Sequence, residues 1–281
     1  MKIALCLNGL ASHPGKKIVG GQMWNGKTGK RTPVDWVKSL EHYKEHILSK
    51  NNVDVFIHSP SLHVQDDLIE AYQPKASVFE EDPIFSQPGD QRKDPGYPDG
   101  VTTKTQITIA RWYSIKKCVE LKQQYEEKHG FKYDIVMIGR FDVAWMVDVD
   151  FSQFDPNYFY VSNWCVMRLP NGFGIRHEDW FFQGWDKKKD AQLKHTHIGW
   201  PHDPRYPALA DYWFFGGSEL IDRFSTLYDN IGKFLRNSIP SNHEFALRHL
   251  RELGLLNKIK FAFHIHDDVF LIRHVYTDWR H

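Results

Sequence analysis

Tyr133-Asp134-Ile135-Val136-Met137-Ile138-Gly139-Arg140-Phe141-Asp142-Val143-Ala144-Trp145 is the stretch that decides the fold. From Ile135 to Gly139 it carries no charge, which suits a strand buried on both faces of a central sheet. It then breaks off in Arg140-Phe141-Asp142 before the apolar character resumes. An arginine and a carboxylate at the end of such a strand are costly to desolvate unless a partner neutralises them. Ligands of open α/β sheets gather at the carboxyl ends of the strands. Two readings therefore stand side by side. Arg140 and Asp142 form an ion pair that caps a core strand, or they receive a phosphate-bearing, metal-chelated donor.

Upstream, Thr105 to Lys128 reads as one long helix, with Ile109, Trp112, Ile115, Val119 and Leu121 on its apolar side. Ile3–Leu7 reads as a short buried strand that turns out through Asn8-Gly9. Pro33 to Leu48 has a helical period, and Val53–His58 and Ala76–Phe79 read as the second and third strands. The order β-α-β-β-α-β predicts an α/β fold with a mostly parallel central sheet flanked by helices. Pro83 to Asp99, interrupted by Pro88, Pro95 and Pro98, is expected to be loop, as is the polar segment 11–33. Gly26-Lys27-Thr28 lacks the strand and helix context of a phosphate loop.

Downstream, Phe151 to Pro207 is aromatic and irregular. Ala210–Phe215 predicts a strand and Gly216-Gly217 a turn. Helices are expected over Ser218–Leu235 and over Ser241–Leu253, the second stopped by Gly254. Glu244 follows Ser241 by a capping-box spacing. Lys260–Ile272 is expected to end as strand.

Several of these blocks carry a resemblance. The strand ending in Arg140-Phe141-Asp142 follows Tyr113-Ser114-Ile115-Lys116-Lys117, and Met1–Gly9, Asp54–Ser59 and Asp211–Glu219 join them in order. Together they resemble GT-A nucleotide-sugar glycosyltransferases, and more closely the glycosyltransferases of bacterial polysaccharide clusters and of large viruses and phages. Arg140-Phe141-Asp142 stands where those enzymes carry Asp-x-Asp, so Arg140 replaces the first acid of the motif. The resemblance implies one GT-A-like domain over 1–281, with a nucleotide-sugar-binding half (1–150) and an aromatic-rich acceptor-binding half (151–281). It implies transfer of a sugar from a nucleotide-sugar donor to a hydroxyl acceptor. That acceptor is a surface polysaccharide or a hydroxylated base in viral DNA, which would make nucleic acid a substrate.

The candidate residues follow. Asn8, Gly9 and Ser59 end the first two strands and Arg111 lies on the helix before the Arg-x-Asp strand. With Arg140 and Asp142 they form the expected donor site. A diphosphate leaving group needs its charge met by a divalent cation or by basic side chains. Asp142 is the candidate Mn²⁺ or Mg²⁺ ligand, and the resemblance makes a histidine near the end of the core its complement. In His264-Ile265-His266, strand alternation puts both rings on one face. Asp211, which opens an aromatic strand before a glycine turn, is the candidate general base. Glu178, beside Trp180, competes with it.

Composition narrows the alternatives. Lys+Arg 36 against Asp+Glu 35 argues against a dedicated non-specific nucleic-acid binder, although Lys187-Lys188-Lys189 and Lys27 to Arg31 are where phosphate contacts would be sought. Hydrophobic residues at 41% support a sizeable core, and no stretch approaches the ~20 apolar residues of a membrane span. Cys6, Cys118 and Cys165 suit neither a disulfide framework nor a zinc knuckle and read as thiols of a reducing compartment. The N-terminal apolar run is shorter than a secretory core, so a cytoplasmic protein is expected. Two other functions compete. One is a non-catalytic nucleotide- or sugar-binding protein, kept open by Arg140. The other is a metal-dependent hydrolase on the terminal His pair, where Val269 stands in place of the next expected histidine.

Overall fold

A computed structural model describes residues 1–12, 21–22, 28–29, 34–83, 85, 91, 103–163, 167–168, 174–175, 209–236, 238, 240–264 and 268–272. Strand β1 (Ile3–Asn8) is buried throughout, and a small antiparallel hairpin, β2 (Gly21–Gln22) with β3 (Thr28–Gly29), follows it. Helix α1 (Trp36–Tyr43) starts at Asp35, whose carboxylate accepts from the Lys38 N–H, and runs on into a π-helical turn, Lys44–Leu48. Then come β4 (Val53–Ser59), α2 (Gln65–Tyr72), β5 (Ala76–Phe79) and the long α3 (Lys104–His129). A capping box between Thr103 and Gln106 opens α3, and Gly130, at φ 67°, ends it in the left-handed conformation. Strands β6 (Ile135–Arg140) and β7 (Val143–Trp145) carry the deciding stretch.

The second half adds β8 (Phe159–Asn163), a minor pair β9 (Met167–Arg168) and β10 (Gly174–Ile175), and β11 (Phe214–Gly216). Helices α4 (Ser218–Ser225), α5 (Leu227–Leu235) and α6 (Asn242–Glu252) precede β12 (Ile259–His264) and β13 (Val269–Leu271). Seven strands form one sheet in the order β12-β8-β11-β6-β1-β4-β5. Only β11 runs antiparallel to its neighbours; the other pairings are parallel. The protein is thus α/β and Rossmann-like, with strands from both halves in a single sheet.

Alternation explains the two layers. Ala4, Cys6, Val136 and Ile138 pack with Ile109, Trp112 and Ile115 of α3, while Leu5, Leu7, Ile135 and Met137 pack with Leu40 and Tyr43 of α1. From β1 the chain moves outward to β4 and β5, then crosses back to lay β6 on the other side of β1. That reversal is a topological switch point, and the crevice outside the carboxyl ends of β1 and β6 is the natural ligand position.

Several expectations are corrected. Between β4 and β5 lies α2, which the sequence reading passed over; it is eight residues long and buries only Leu68 and Tyr72. A two-contact face offers too little periodicity to detect. The helix expected over Ser218–Leu235 is two helices that break at Thr226, whose hydroxyl donates to the Arg223 carbonyl at 2.7 Å. Ser218 does not cap α4, because its hydroxyl serves the buried Lys122 (2.7 Å) and Glu126 (2.7 Å) instead. The expected Lys260–Ile272 strand divides between two sheets, with a bulge at Phe263 (φ 56°). The strand expected from Ala210 begins at Phe214. Among the described residues no helix is long and apolar enough to cross a membrane.

Candidate functional site

The even-numbered face of β1 ends in Asn8, and parallel pairing sets Asn8 level with Arg140 on one side and His58 on the other. All three therefore project toward α3 at the carboxyl edge of the sheet. Asn8 Nδ2 donates to the Gly139 carbonyl at 2.8 Å, and its Oδ1 accepts from Arg111 Nη1. Arg111 in turn donates through Nη2 to the Asp211 carbonyl at 2.9 Å.

Arg140 and Asp142 close on each other as a fork. Nε and Nη2 each lie 2.7 Å from a different Asp142 oxygen. The ion-pair reading of the sequence is thus realised, at the edge where a donor was expected.

Asp211 arrives by a different route. Because β11 is antiparallel to β6, its N-terminal side lies at the carboxyl end of β6; Phe214 pairs with Ile138, and the residues before it run on toward Arg140. Asp211 Oδ1 lies 3.7 Å from Arg140 Nη1, and Oδ2 lies 3.7 Å from Arg111 Nε. The guanidinium carbon of Arg140 sits 5.9 Å from the centre of the Tyr212 ring. His243, in the first turn of α6, completes the group, with Nδ1 3.0 Å from the Leu209 carbonyl and 3.4 Å from Asp211 Oδ1. Sequence reading missed His243, since a residue in the first turn of a helix, two places after the capping Ser241, carries no signal of where that helix is docked.

The electrostatics are those of two cations and two anions in a poorly hydrated place. Burial, reinforced by Arg140, lowers the Arg111 pKa to about 10 against the pull of Asp211 and Asp142. Burial also works against Arg140, but Asp142 and Asp211 outweigh it and raise its pKa. Burial of Asp211 would raise its pKa, yet His243, Arg140 and Arg111 together hold it below the usual carboxylate range. Burial lowers the pKa of His243, with Asp211 opposing, so the ring is neutral at pH 7.

Gly9 and Ser59 adjoin this group without entering it. Gly9 turns the chain out of β1 at φ 89°, its N–H reaching Ser114 Oγ at 2.8 Å and the His58 carbonyl at 3.1 Å. The Ser59 hydroxyl donates to the Gly9 carbonyl at 2.8 Å. Both residues thus shape the turn beside Asn8. Trp145 and Trp213 are fully buried and pack on each other with ring centres 5.7 Å apart, so they fill the core.

Both Asp142 oxygens are engaged by Arg140, and among the described residues no group of three or more His, Cys, Asp or Glu side chains could hold a metal ion. The residues seen at this edge do not fit a cation site as they stand. His264 ends β12, where its backbone pairs with Asn163, and β13 returns beside β7, with Ile272 N–H donating to the Asp142 carbonyl at 2.8 Å. The His264 side chain, His266, Glu178 and the Lys187-Lys188-Lys189 run lie outside the described residues. No protein-family model matches the chain, and no curated protein matches it.

Proposed function

We propose that this protein is a glycosyltransferase on a GT-A-like fold, moving a sugar from a nucleotide-sugar donor to a hydroxyl acceptor such as a surface polysaccharide or a hydroxylated base in DNA. The observation that carries this reading is the meeting of Arg111 and Arg140 with Asn8 at the carboxyl edge, beside the switch point between β1 and β6. The chemistry of the leaving group supports it. As the sugar departs, negative charge grows on the diphosphate, and guanidiniums pair with phosphate oxygens bidentately. Arg140 can exchange one ionic partner, Asp142, for another of the same geometry. Asp211 then remains to hold both arginines in place. The resemblance of the Arg-x-Asp strand and its neighbouring blocks points the same way.

The Arg140–Asp142 fork also favours a second reading, a nucleotide- or sugar-binding protein without turnover, because each partner already satisfies the other. One experiment separates the two. The protein is screened by thermal shift against UDP-, GDP-, CMP- and dTDP-sugars, and any stabilising donor is then followed for release of its nucleotide. Stabilisation with turnover is the expected result. Stabilisation without turnover, across carbohydrate and hydroxymethylated-DNA acceptors and water, would establish the binding protein instead.

A further inference from the structure

We infer that His243 is the catalytic base of the transfer and that Asp211 is its positioning residue; the inference rests on the glycosyltransferase reading above. The sequence offered Asp211 and Glu178 as candidate bases; Glu178 lies outside the described residues, and the geometry argues against Asp211. Asp211 is 4% exposed, with one oxygen 3.7 Å from Arg111 Nε and the other 3.7 Å from Arg140 Nη1. A carboxylate held as an anion by two guanidiniums is a poor proton acceptor.

His243 has the complementary geometry. Its Nδ1 lies 3.0 Å from the Leu209 carbonyl, which can only accept, so Nδ1 carries the proton. The same nitrogen lies 3.4 Å from Asp211 Oδ1. An acid and a carbonyl on Nδ1 fix the tautomer and leave Nε2 as the basic nitrogen. The side chain is 19% exposed, so the ring borders solvent while Asp211 does not. Among the described residues, the charged groups that act on it include Asp211 from the segment before β11, Arg140 from β6 and Arg111 from α3. Burial keeps the free imidazole neutral at pH 7, and Asp211 is in place to stabilise the imidazolium once it forms.

The step balances as a single displacement. The acceptor hydroxyl gives its proton to Nε2, and its oxygen bonds to the anomeric carbon. The bond from that carbon to the diphosphate oxygen breaks, and its electron pair leaves with the nucleoside diphosphate. Configuration at the anomeric carbon inverts.

Two independent measurements test the assignment. Nitrogen-15 NMR of the imidazole rings, with His243 assigned through His243→Gln, is expected to show the neutral Nδ1–H tautomer at pH 7.5; an Nε2–H tautomer would overturn the inference whatever the reaction. In kinetics, with the best nucleotide-sugar of the screen as donor and water as acceptor, His243→Gln is expected to keep donor stabilisation and KM. Its kcat should fall by about 100-fold or more, and the acidic limb of the pH profile should disappear. Asp211→Asn should disturb the tautomer and lower kcat less. A His243→Gln protein that turns over donor at the wild-type rate and pH profile overturns the base role alone. If no nucleotide-sugar affects the wild type, the transferase reading falls and takes the base role with it, while the tautomer result remains independent.

Discussion

The hydroxyl of Tyr43 occupies the space that a side chain at position 139 would need: a Cβ added to Gly139 would lie 2.6 Å from that oxygen. From there Tyr43 donates to the Arg140 carbonyl at 3.1 Å, so α1 holds the backbone of the site arginine through a gap that glycine leaves open. Leu7 and Leu5 would also crowd the added atom, at 3.2 and 3.3 Å. Gly139→Ala is therefore expected to cost about 1–3 kcal/mol by overpacking. Urea denaturation should show a lower midpoint with an unchanged slope. An alanine variant as stable as the wild type would mean that the Tyr43 hydroxyl yields without cost.

Removing Arg140 takes the two-pronged guanidinium contact from the buried Asp142 and one of the cations beside Asp211, which keeps Arg111 and His243. Arg140→Ala should lose about 3–5 kcal/mol, the range for breaking a buried ion pair from one side. Arg140→Lys keeps the charge but not the two-pronged contact with Asp142, so an intermediate loss is expected. Both variants should lose stabilisation by nucleotide-sugar in thermal shift. Donor stabilisation surviving intact in a folded Arg140→Ala protein would remove the phosphate role from that residue.

Acid should begin to destabilise the protein near pH 6.5, although Asp82, whose pKa burial raises to about 6, takes up a proton in the folded state and offsets part of the loss. His58, His243 and His249 all have pKa values lowered by burial, so the unfolded chain binds protons near pH 6.5 that the folded chain refuses. Stability from these groups is complete above the unfolded pKa and falls as pH drops below it, by at most about 1.4 kcal/mol per pH unit for each histidine. Urea midpoints measured from pH 8 to pH 5 should be flat at first and then decline below about 6.5. A flat profile down to pH 5 would show that burial does not hold these rings neutral.

The divalent cation expected on Asp142 would require the Arg140 fork to open, because both carboxylate oxygens are occupied. If, as proposed, Arg111 and Arg140 meet the diphosphate, donor turnover is expected to persist in EDTA. Turnover abolished by EDTA and restored by Mn²⁺ or Mg²⁺ would return Asp142, with His264 or His266, to the role of metal ligand.

Much of the cluster at the carboxyl edge was legible in the chain. The uncharged run Ile135–Gly139 announced a strand buried on both faces, and Asn8 and Arg140 were each legible as the end of a strand. The helical period marked α3 as the helix that carries Arg111 and leads into the Arg-x-Asp strand, and the spacing of Arg140 and Asp142 allowed for their pairing. Each of these is a local property: a side chain's face follows from the periodicity of its own element.

What only the tertiary structure decided were the partners. Asp211 meets Arg111 across a separation of 100 residues because β11 enters the sheet antiparallel, which turns the segment before it toward the carboxyl edge. His243 joins them because α6 is docked with its first turn beside Leu209. Strand direction and helix docking are set by which buried faces fit together over the whole chain. Periodicity within Ala210–Phe215 or Ser241–Leu253 describes a face but not the surface it meets, so the Asp211–His243 pairing had no local signature.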